Sequence, residues 1–262
     1  MILNEIVEKT RIRISERKDE KSLDTIMEEA LQKQINNTFP FEKSLKNPDI
    51  AFICEVKKAS PSKGIIAEEF SYLDIAKEYE EAGANAISVL TEPFYFKGKD
   101  IFLEEISKEV KVPILRKDFV IDEYMIYEAK ILGASAVLLI CSILDKDILK
   151  KYIDLANRLG MSALVEAHNE KEINMALSCG ARIIGVNNRD LKNFTVDINN
   201  SVRLRRFVPT DIIFISESGI KTAEDIDVLK KNNVNAVLIG ETLMKSKNKK
   251  KALDELRGFK YE

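Results

Sequence analysis

Histidine occurs once in these 262 residues, tryptophan not at all, and cysteine only three times. A lone His168 rules out multi-histidine metal centres and argues against a Ser-His-Asp hydrolase. With no partner ligand in view, it reads as a loop or packing residue. Cys54, Cys141 and Cys179 are odd in number and far apart, which fits neither a disulfide framework nor a zinc cluster and points to a reducing cytoplasm. No apolar run approaches the length of a membrane span. Met1 to Lys9 mixes acid and base without the apolar core of a signal peptide. An excess of one charge is also missing: 41 Lys and Arg against 43 Asp and Glu leave a formal charge of -2, so the basic surplus of a nucleic-acid binder is absent. The locally basic run Lys245 to Lys251 reads as a solvated helix end or turn. Catalysis, if there is any, falls to Lys, Glu, Asp, Arg and Asn.

What the chain does have is repetition. From Ala51 onward, short β-branched runs alternate with longer amphipathic segments, eight times over. Strands are expected near 51–56, 86–91, 113–117, 136–141, 162–166, 182–187, 211–216 and 235–239. Helical patterns fill the gaps, among them 72–82, 123–132, 147–159, 170–178 and 223–231, several closing on glycine at Gly83, Gly133, Gly160 and Gly180. A glycine just past a helix supplies the left-handed cap from which the next strand starts. Eight strand-helix units with right-handed crossovers close most naturally into a (β/α)8 TIM barrel. An open doubly wound sheet is the alternative, but the segment after the first strand, Ala59 to Gly64, is no dinucleotide-binding fingerprint. Residues 1–48 lie outside the repeat and read as a helical extension of a single barrel domain spanning 1–262. In it Leu23, Ile26, Met27, Ala30 and Leu31 form an apolar stripe after a Ser22 cap. That stripe is expected to cover an end of the barrel.

Barrel enzymes carry their chemistry where strands run out into the following loops. The first strand offers Glu55 and Lys57, two apart and so on one face. The third offers Lys117, the fifth Glu166, the sixth Asn187 and Arg189, the seventh Glu217, Ser218 and Gly219, and the eighth Gly240 and Glu241. One charged residue after a strand can simply cap the next helix. Here Glu55, Glu166 and Glu217 balance Lys57, Lys117 and Arg189, a set whose mutual pairing makes burial around one cavity tolerable. The small residues and free amides of Ser216 to Ile220 and Ile239 to Met244, with Lys57 or Lys63 nearby, suit a phosphate. The aromatic run Pro93 to Phe96 and Phe119 reads either as packing or as a platform for an aromatic ring.

Taken in order along the chain, these segments resemble the indole-3-glycerol-phosphate synthase family of tryptophan biosynthesis. The resemblance is carried by Glu55-Val-Lys-Lys-Ala-Ser-Pro-Ser-Lys-Gly64, Ser88-Val-Leu-Thr91 with Phe96 and Gly98, Leu115-Arg-Lys-Asp-Phe119, Leu164-Val-Glu166, Gly185-Val-Asn-Asn-Arg-Asp-Leu191, Ser216-Glu-Ser-Gly-Ile220 and Gly240-Glu-Thr-Leu-Met244. The helical extension fits that family too. The resemblance implies a carboxy-lyase acting on 1-(2-carboxyphenylamino)-1-deoxyribulose 5-phosphate, with ring closure, decarboxylation and dehydration and with neither cofactor nor metal. It implies Lys117 as acid for ring closure, and Lys57 and Glu166 as acid and base for dehydration. Glu55, Asn187 and Ser218 complete the catalytic group. Ser60, Phe96, Phe119, Arg189 and Glu217 would bind the substrate, and Lys57, Gly219, Gly240 and Glu241, with Ser218, would flank its phosphate.

The implied partner is a small phosphorylated molecule, with no nucleic acid and no membrane. A cytoplasmic monomer is expected, with association with other tryptophan-pathway enzymes left open. Barrel and extension use nearly all residues, so no fused partner domain is expected. Two rivals are phosphoribosylanthranilate isomerase, which resembles a bare barrel with an early cysteine, and a non-catalytic phosphosugar-binding barrel.

Overall fold

The computed structural model describes residues 2–190 and 194–259. Helices α1 (Ile2–Glu20), α2 (Leu23–Gln32) and α3 (Pro40–Leu45) precede β1 (Ala51–Val56), whose following loop holds the short hairpin β2 (Ala59–Ser60) and β3 (Gly64–Ile65). Strands and helices then alternate: α4 (Tyr72–Glu81), β4 (Ala86–Leu90), α5 (Asp100–Glu109), β5 (Ile114–Lys117), α6 (Glu123–Ile131), β6 (Ala136–Ile140), α7 (Lys146–Arg158) and β7 (Ser162–Ala167). The second half continues with α8 (Glu170–Ser178), β8 (Ile183–Asn187), α9 (Asn199–Arg205), β9 (Ile213–Glu217), α10 (Ala223–Lys231), β10 (Ala236–Ile239), α11 (Glu241–Lys245) and α12 (Lys249–Leu256).

Among the described residues, β1-β10-β9-β8-β7-β6-β5-β4 close into a barrel in which spatial order follows chain order all the way round. Every barrel pairing is parallel, as right-handed strand-helix crossovers require. The fold is therefore the expected (β/α)8 barrel and not the open sheet. Its strands read as unbroken apolar runs because both faces are buried. Ile53, Leu115, Leu138, Leu164 and Leu238 fill the interior, while their neighbours Phe52, Val137, Leu139 and Val237 pack outward under the helices. Gly83, Gly133, Gly160 and Gly180 all stand at positive φ, between 72° and 89°, ending their helices as anticipated. The seventh barrel strand begins at Ile213, not 211, because Ile212 N–H closes a turn onto the Pro209 carbonyl at 3.2 Å.

The extension departs from expectation in an instructive way. Ser22 does cap α2, its hydroxyl accepting from Thr25 N–H at 3.2 Å, and Ile26 and Ala30 are buried. The α2 stripe, however, lies along α6 on the barrel's flank, and Leu31 stays 57 % exposed. It is α3 that plugs an end: Phe41 and Leu45 are fully buried against Ala51, Ala86 and Ala236, at the starts of the strands. At the opposite mouth, Ile2, Leu3 and Ile6 from the first turns of α1 form one wall of a cavity.

Helix α1 is held there by buried charge. Arg116 and Lys117 are adjacent in β5, so they face opposite ways. Arg116 points outward and is fully buried, contacting Asp100 Oδ1 at 2.8 Å, Glu128 Oε2 at 2.5 Å and the Met125 carbonyl at 2.9 Å. Arg13 meets Asp118 at 3.0 Å, Arg17 meets Asp100 at 2.5 Å, and Arg17 also pairs with Glu128. Three guanidinium groups thus balance three carboxylates between α1, α5, α6 and the strand that carries Lys117. Burial alone would lower the Arg116 pKa, but Glu128, Asp100 and Asp118 raise it above its ordinary value.

The basic run Lys245 to Lys251 proves only partly solvated. Lys249 is 8 % exposed, and its ammonium caps α11 by donating to the carbonyls of Ser246 at 2.6 Å and Met244 at 3.2 Å. No helix among the described residues is long and apolar enough to cross a membrane.

Candidate active site

Parallel strands that all run the same way deliver their C-terminal residues to one mouth, and there the side chains from strand ends meet. The cavity they line measures about 690 Å³. Its floor is polar: Glu55 and Lys57 from the end of β1, Lys117 from β5, Glu166 from β7, Asn187 from β8 and Glu217 from β9. Ser60, Phe96 and Phe119 stand on one side, with the two phenyl rings 6.1 Å apart. Arg189, Ser218, Gly219, Gly240 and Glu241 stand on another. Of the segments quoted above, only Leu191 lies outside the described residues.

At the centre is the Lys117 ammonium, 3.3 Å from Glu217 Oε2 and 3.8 Å from Glu166 Oε2. Burial would release its proton, but Glu217, Glu166 and Glu55 outweigh that and raise its pKa above the ordinary lysine value. Lys57 pairs with Glu55. Three carboxylates therefore face two ammonium groups, and one carboxylate is left short of positive charge. That one is Glu217: burial, with Glu166 and Glu55 nearby, pushes its pKa up to about 7 despite Lys117. Glu166 goes the other way. Burial would raise it, but His168, Lys117 and Asn187 hold it below the usual carboxylate range, Asn187 Nδ2 approaching Oε2 at 3.5 Å.

Two glycines make room for these carboxylates. A methyl on Gly185 would stand 2.2 Å from Glu217 Oε1, and one on Gly240 would stand 2.3 Å from Glu55 Oε2 and 2.8 Å from Lys57 Nζ. Gly185→Ala is expected to cost about 1–3 kcal/mol of stability by overpacking, read from urea unfolding; a loss of under a few tenths would mean that Glu217 has another place to go.

The remaining rim combines a sharp backbone turn with several cations. Ser218 and Gly219 both sit at positive φ, 70° and 86°, turning the backbone sharply into the approach to α10. Thr242 ties the neighbouring loop in place by donating to the Ile220 carbonyl at 2.8 Å. Lys63, Arg189, Lys221 and Lys245 line the same side. The Glu241 carboxylate lies among three of them, 2.6 Å from Lys245, 3.8 Å from Arg189 and 3.9 Å from Lys63.

One feature was left open in the sequence and another went unseen. Phe94 and Tyr95, grouped there with Phe96, serve α1 instead: Lys9 lies over both rings at 5.2 and 4.9 Å, and Glu92 holds their turn by accepting from three successive amides. His168 is no idle loop residue, since its ring stands between Glu166 and Glu172. The signal was available: Glu166, in β7, and His168, just past its end, are two apart, the same spacing that singled out Glu55 and Lys57 at the end of β1. Among the described residues no group of three or more His, Cys, Asp or Glu side chains could hold a metal ion, and the three cysteines are free and buried.

A closed parallel barrel with a buried ammonium among carboxylates at its mouth, facing a basic rim, has the build of a (β/α)8-barrel enzyme for a phosphorylated substrate. Its family follows from comparison with known proteins. The family model for indole-3-glycerol phosphate synthase matches residues 3–256. The indole-3-glycerol phosphate synthase of Ruminiclostridium cellulolyticum is 55% identical over 258 residues, covering 98% of this chain and 99% of that protein. The one from Endomicrobium trichonymphae is 58% identical over 257 residues, covering 98% and 100%. A variant tryptophan synthase α-subunit from Pyrococcus furiosus superimposes with a TM-score of 0.61 at 16% identity, over 80% of this chain and 99% of that one, a likeness of fold alone. The chain belongs to the indole-3-glycerol phosphate synthase family, and it is thereby a carboxy-lyase.

Proposed function

We propose that this chain converts 1-(2-carboxyphenylamino)-1-deoxyribulose 5-phosphate to indole-3-glycerol phosphate in tryptophan biosynthesis, with Lys117, Lys57 and Glu166 handling the protons. The observation that carries this reading is the Lys117 ammonium, kept charged by Glu217 and Glu166 on the floor of a cavity whose rim is basic. Phe96 and Phe119 receive the anthranilate ring, with Ser60 beside it, while Arg189 and Glu217 complete the polar wall. Ser218, Gly219, Gly240 and Glu241 frame the phosphate through their backbone amides, and Lys57 and Lys63 add charge.

The chemistry then follows by proton count. The ring carbon that bears the carboxylate attacks the ketone carbon, and Lys117 gives its proton to the ketone oxygen as negative charge develops there. Carbon dioxide leaves, and its bonding electrons restore the aromatic ring. The aniline nitrogen expels the new hydroxyl, which departs as water with a proton from Lys57. Glu166 removes a proton from the adjoining carbon, and the indole double bond forms. Two protons are given and one is taken back, so the turnover consumes one proton overall, matching the loss of the carboxylate charge. Glu55 and Asn187 orient these groups, while Glu217 stands beside the Lys117 ammonium.

The test is direct because the chain has no tryptophan: indole fluorescence should rise when the pure protein meets this substrate. A folded preparation that yields no indole signal sinks the reading.

A further inference from the structure

We propose that His168 is a positioning residue for Glu166, a charged bridge that holds one oxygen of this carboxylate and leaves the other to face the cavity. The proposal rests on the reading of Glu166 as the base.

Glu166 is 3 % exposed, and its two oxygens have different company. Oε2 faces inward, 3.8 Å from Lys117 Nζ and 3.5 Å from Asn187 Nδ2. Oε1 has His168 Nε2 at 3.2 Å, an ion-pair approach without hydrogen-bond alignment that leaves Nε2 a buried nitrogen whose nearest anion is Glu166. The far side of the imidazole is also occupied, with Nδ1 3.1 Å from Glu172 Oε2. Glu172 in turn is anchored from several directions. The same Oε2 accepts from the His168 backbone N–H at 2.8 Å, Oε1 accepts from Asn169 Nδ2 at 2.8 Å, and Glu172 N–H donates to the Asn169 side chain that caps α8. A rigid helix start is thus linked through Glu172 and the imidazole to an oxygen of the base.

An imidazole between two carboxylates is favoured as the doubly protonated cation, because the ring's positive charge then lies within ion-pair distance of both anions. Burial would lower the His168 pKa, but Glu166 and Glu172 raise it to about 10. Other titratable groups nearby are Cys141, buried close to both glutamates, and, across the cavity from Glu166, Lys117 and Glu217. The cation does two things for a base. It keeps Glu166 ionised at neutral pH although the residue is buried. It also removes the freedom of the carboxylate to rotate, so that Oε2 stays aimed at the substrate.

Two substitutions separate donor from charge. The amide nitrogen of Gln reaches the place of Nε2, and that of Asn the place of Nδ1. His168→Asn is expected to lower kcat by about tenfold or more with KM within about threefold, and to move the acidic limb of the kcat/KM profile up by about one pH unit. His168→Gln, which restores a neutral donor to Glu166, should recover most of kcat while the limb stays displaced. The proposal fails if folded His168→Asn keeps kcat within about twofold with the limb in place, or if Gln does no better than Asn. Glu166→Gln is the separate control: a loss of under about tenfold there removes the base assignment itself, whatever His168 does. One further measurement needs no variant. With one histidine in the chain, its ring nitrogen resonances are unambiguous and should report a doubly protonated ring through about pH 8. A ring that titrates near the ordinary value of 6.5 overturns the proposal.

Discussion

Lys117→Ala is expected to reduce kcat by about 10²- to 10⁴-fold while substrate still binds. The ammonium is the group nearest the centre of the carboxylate cluster, and no other lysine reaches both Glu166 and Glu217 among the described residues. Its raised pKa means that the proton is always present when the ketone oxygen becomes basic enough to take it, so the variant should lose rate at every pH and not merely shift the profile. Binding should survive, because the proposed phosphate contacts are made by the amides of Ser218, Gly219, Gly240 and Glu241 and not by Lys117. Isothermal titration with substrate, alongside single-turnover formation of indole, distinguishes the outcomes. Turnover that persists within about tenfold would mean an enzyme whose acid stands elsewhere. Stability has to be read in parallel. Without Lys117, Glu166 keeps His168 but Glu217 loses its cation, and Glu217, already pushed up to about 7, will take up a proton at neutral pH instead of remaining an unpaired buried anion.

The largest effect on stability is expected at Arg116. Replacing it by methionine keeps much of the volume but leaves Asp100, Glu128 and Asp118 facing only Arg13 and Arg17. Removing one partner of a buried ion cluster costs about 3–5 kcal/mol, because the remaining charges stay buried without compensation. Urea unfolding should show that loss, and a change under about 1 kcal/mol would mean that water or rearranged side chains replace the guanidinium. Arg17→Ala should cost much less, since its side chain is 28 % exposed and solvent can take over its share of the pairing. Because the cluster joins α1 to β5, Arg116→Met should also loosen the wall that Ile2, Leu3 and Ile6 form at the mouth.

The barrel itself was legible in the sequence because its signals are local. A short β-branched run within a strand, helical spacing within a helix, and a glycine that leaves the helix through a left-handed turn each depend on a few neighbouring residues. Chain order then carries over to spatial order, since a parallel strand can be reached only by a crossover of one hand. The convergence of Lys57, Lys117, Glu166 and Glu217 was legible for the same reason: in a parallel barrel, all strand ends open at one mouth. Leu31 and Lys249 were misread because both lie at the ends of helices, where an apolar side chain can stay in water and a lysine can turn inward to bond a carbonyl.

By itself, then, the sequence determined the architecture, the polar mouth and the resemblance to one enzyme family, all of them consequences of periodicity and order along the chain. Only the tertiary structure decided which charges meet. It set three arginines against three carboxylates behind β5, left Glu217 the carboxylate without a full share of positive charge, and stood His168 between Glu166 and Glu172. The reason is range. Hydrophobic period is a property of neighbours, whereas the energy of a buried charge depends on every group within a few ångströms, and those groups come from strands and helices far apart in sequence.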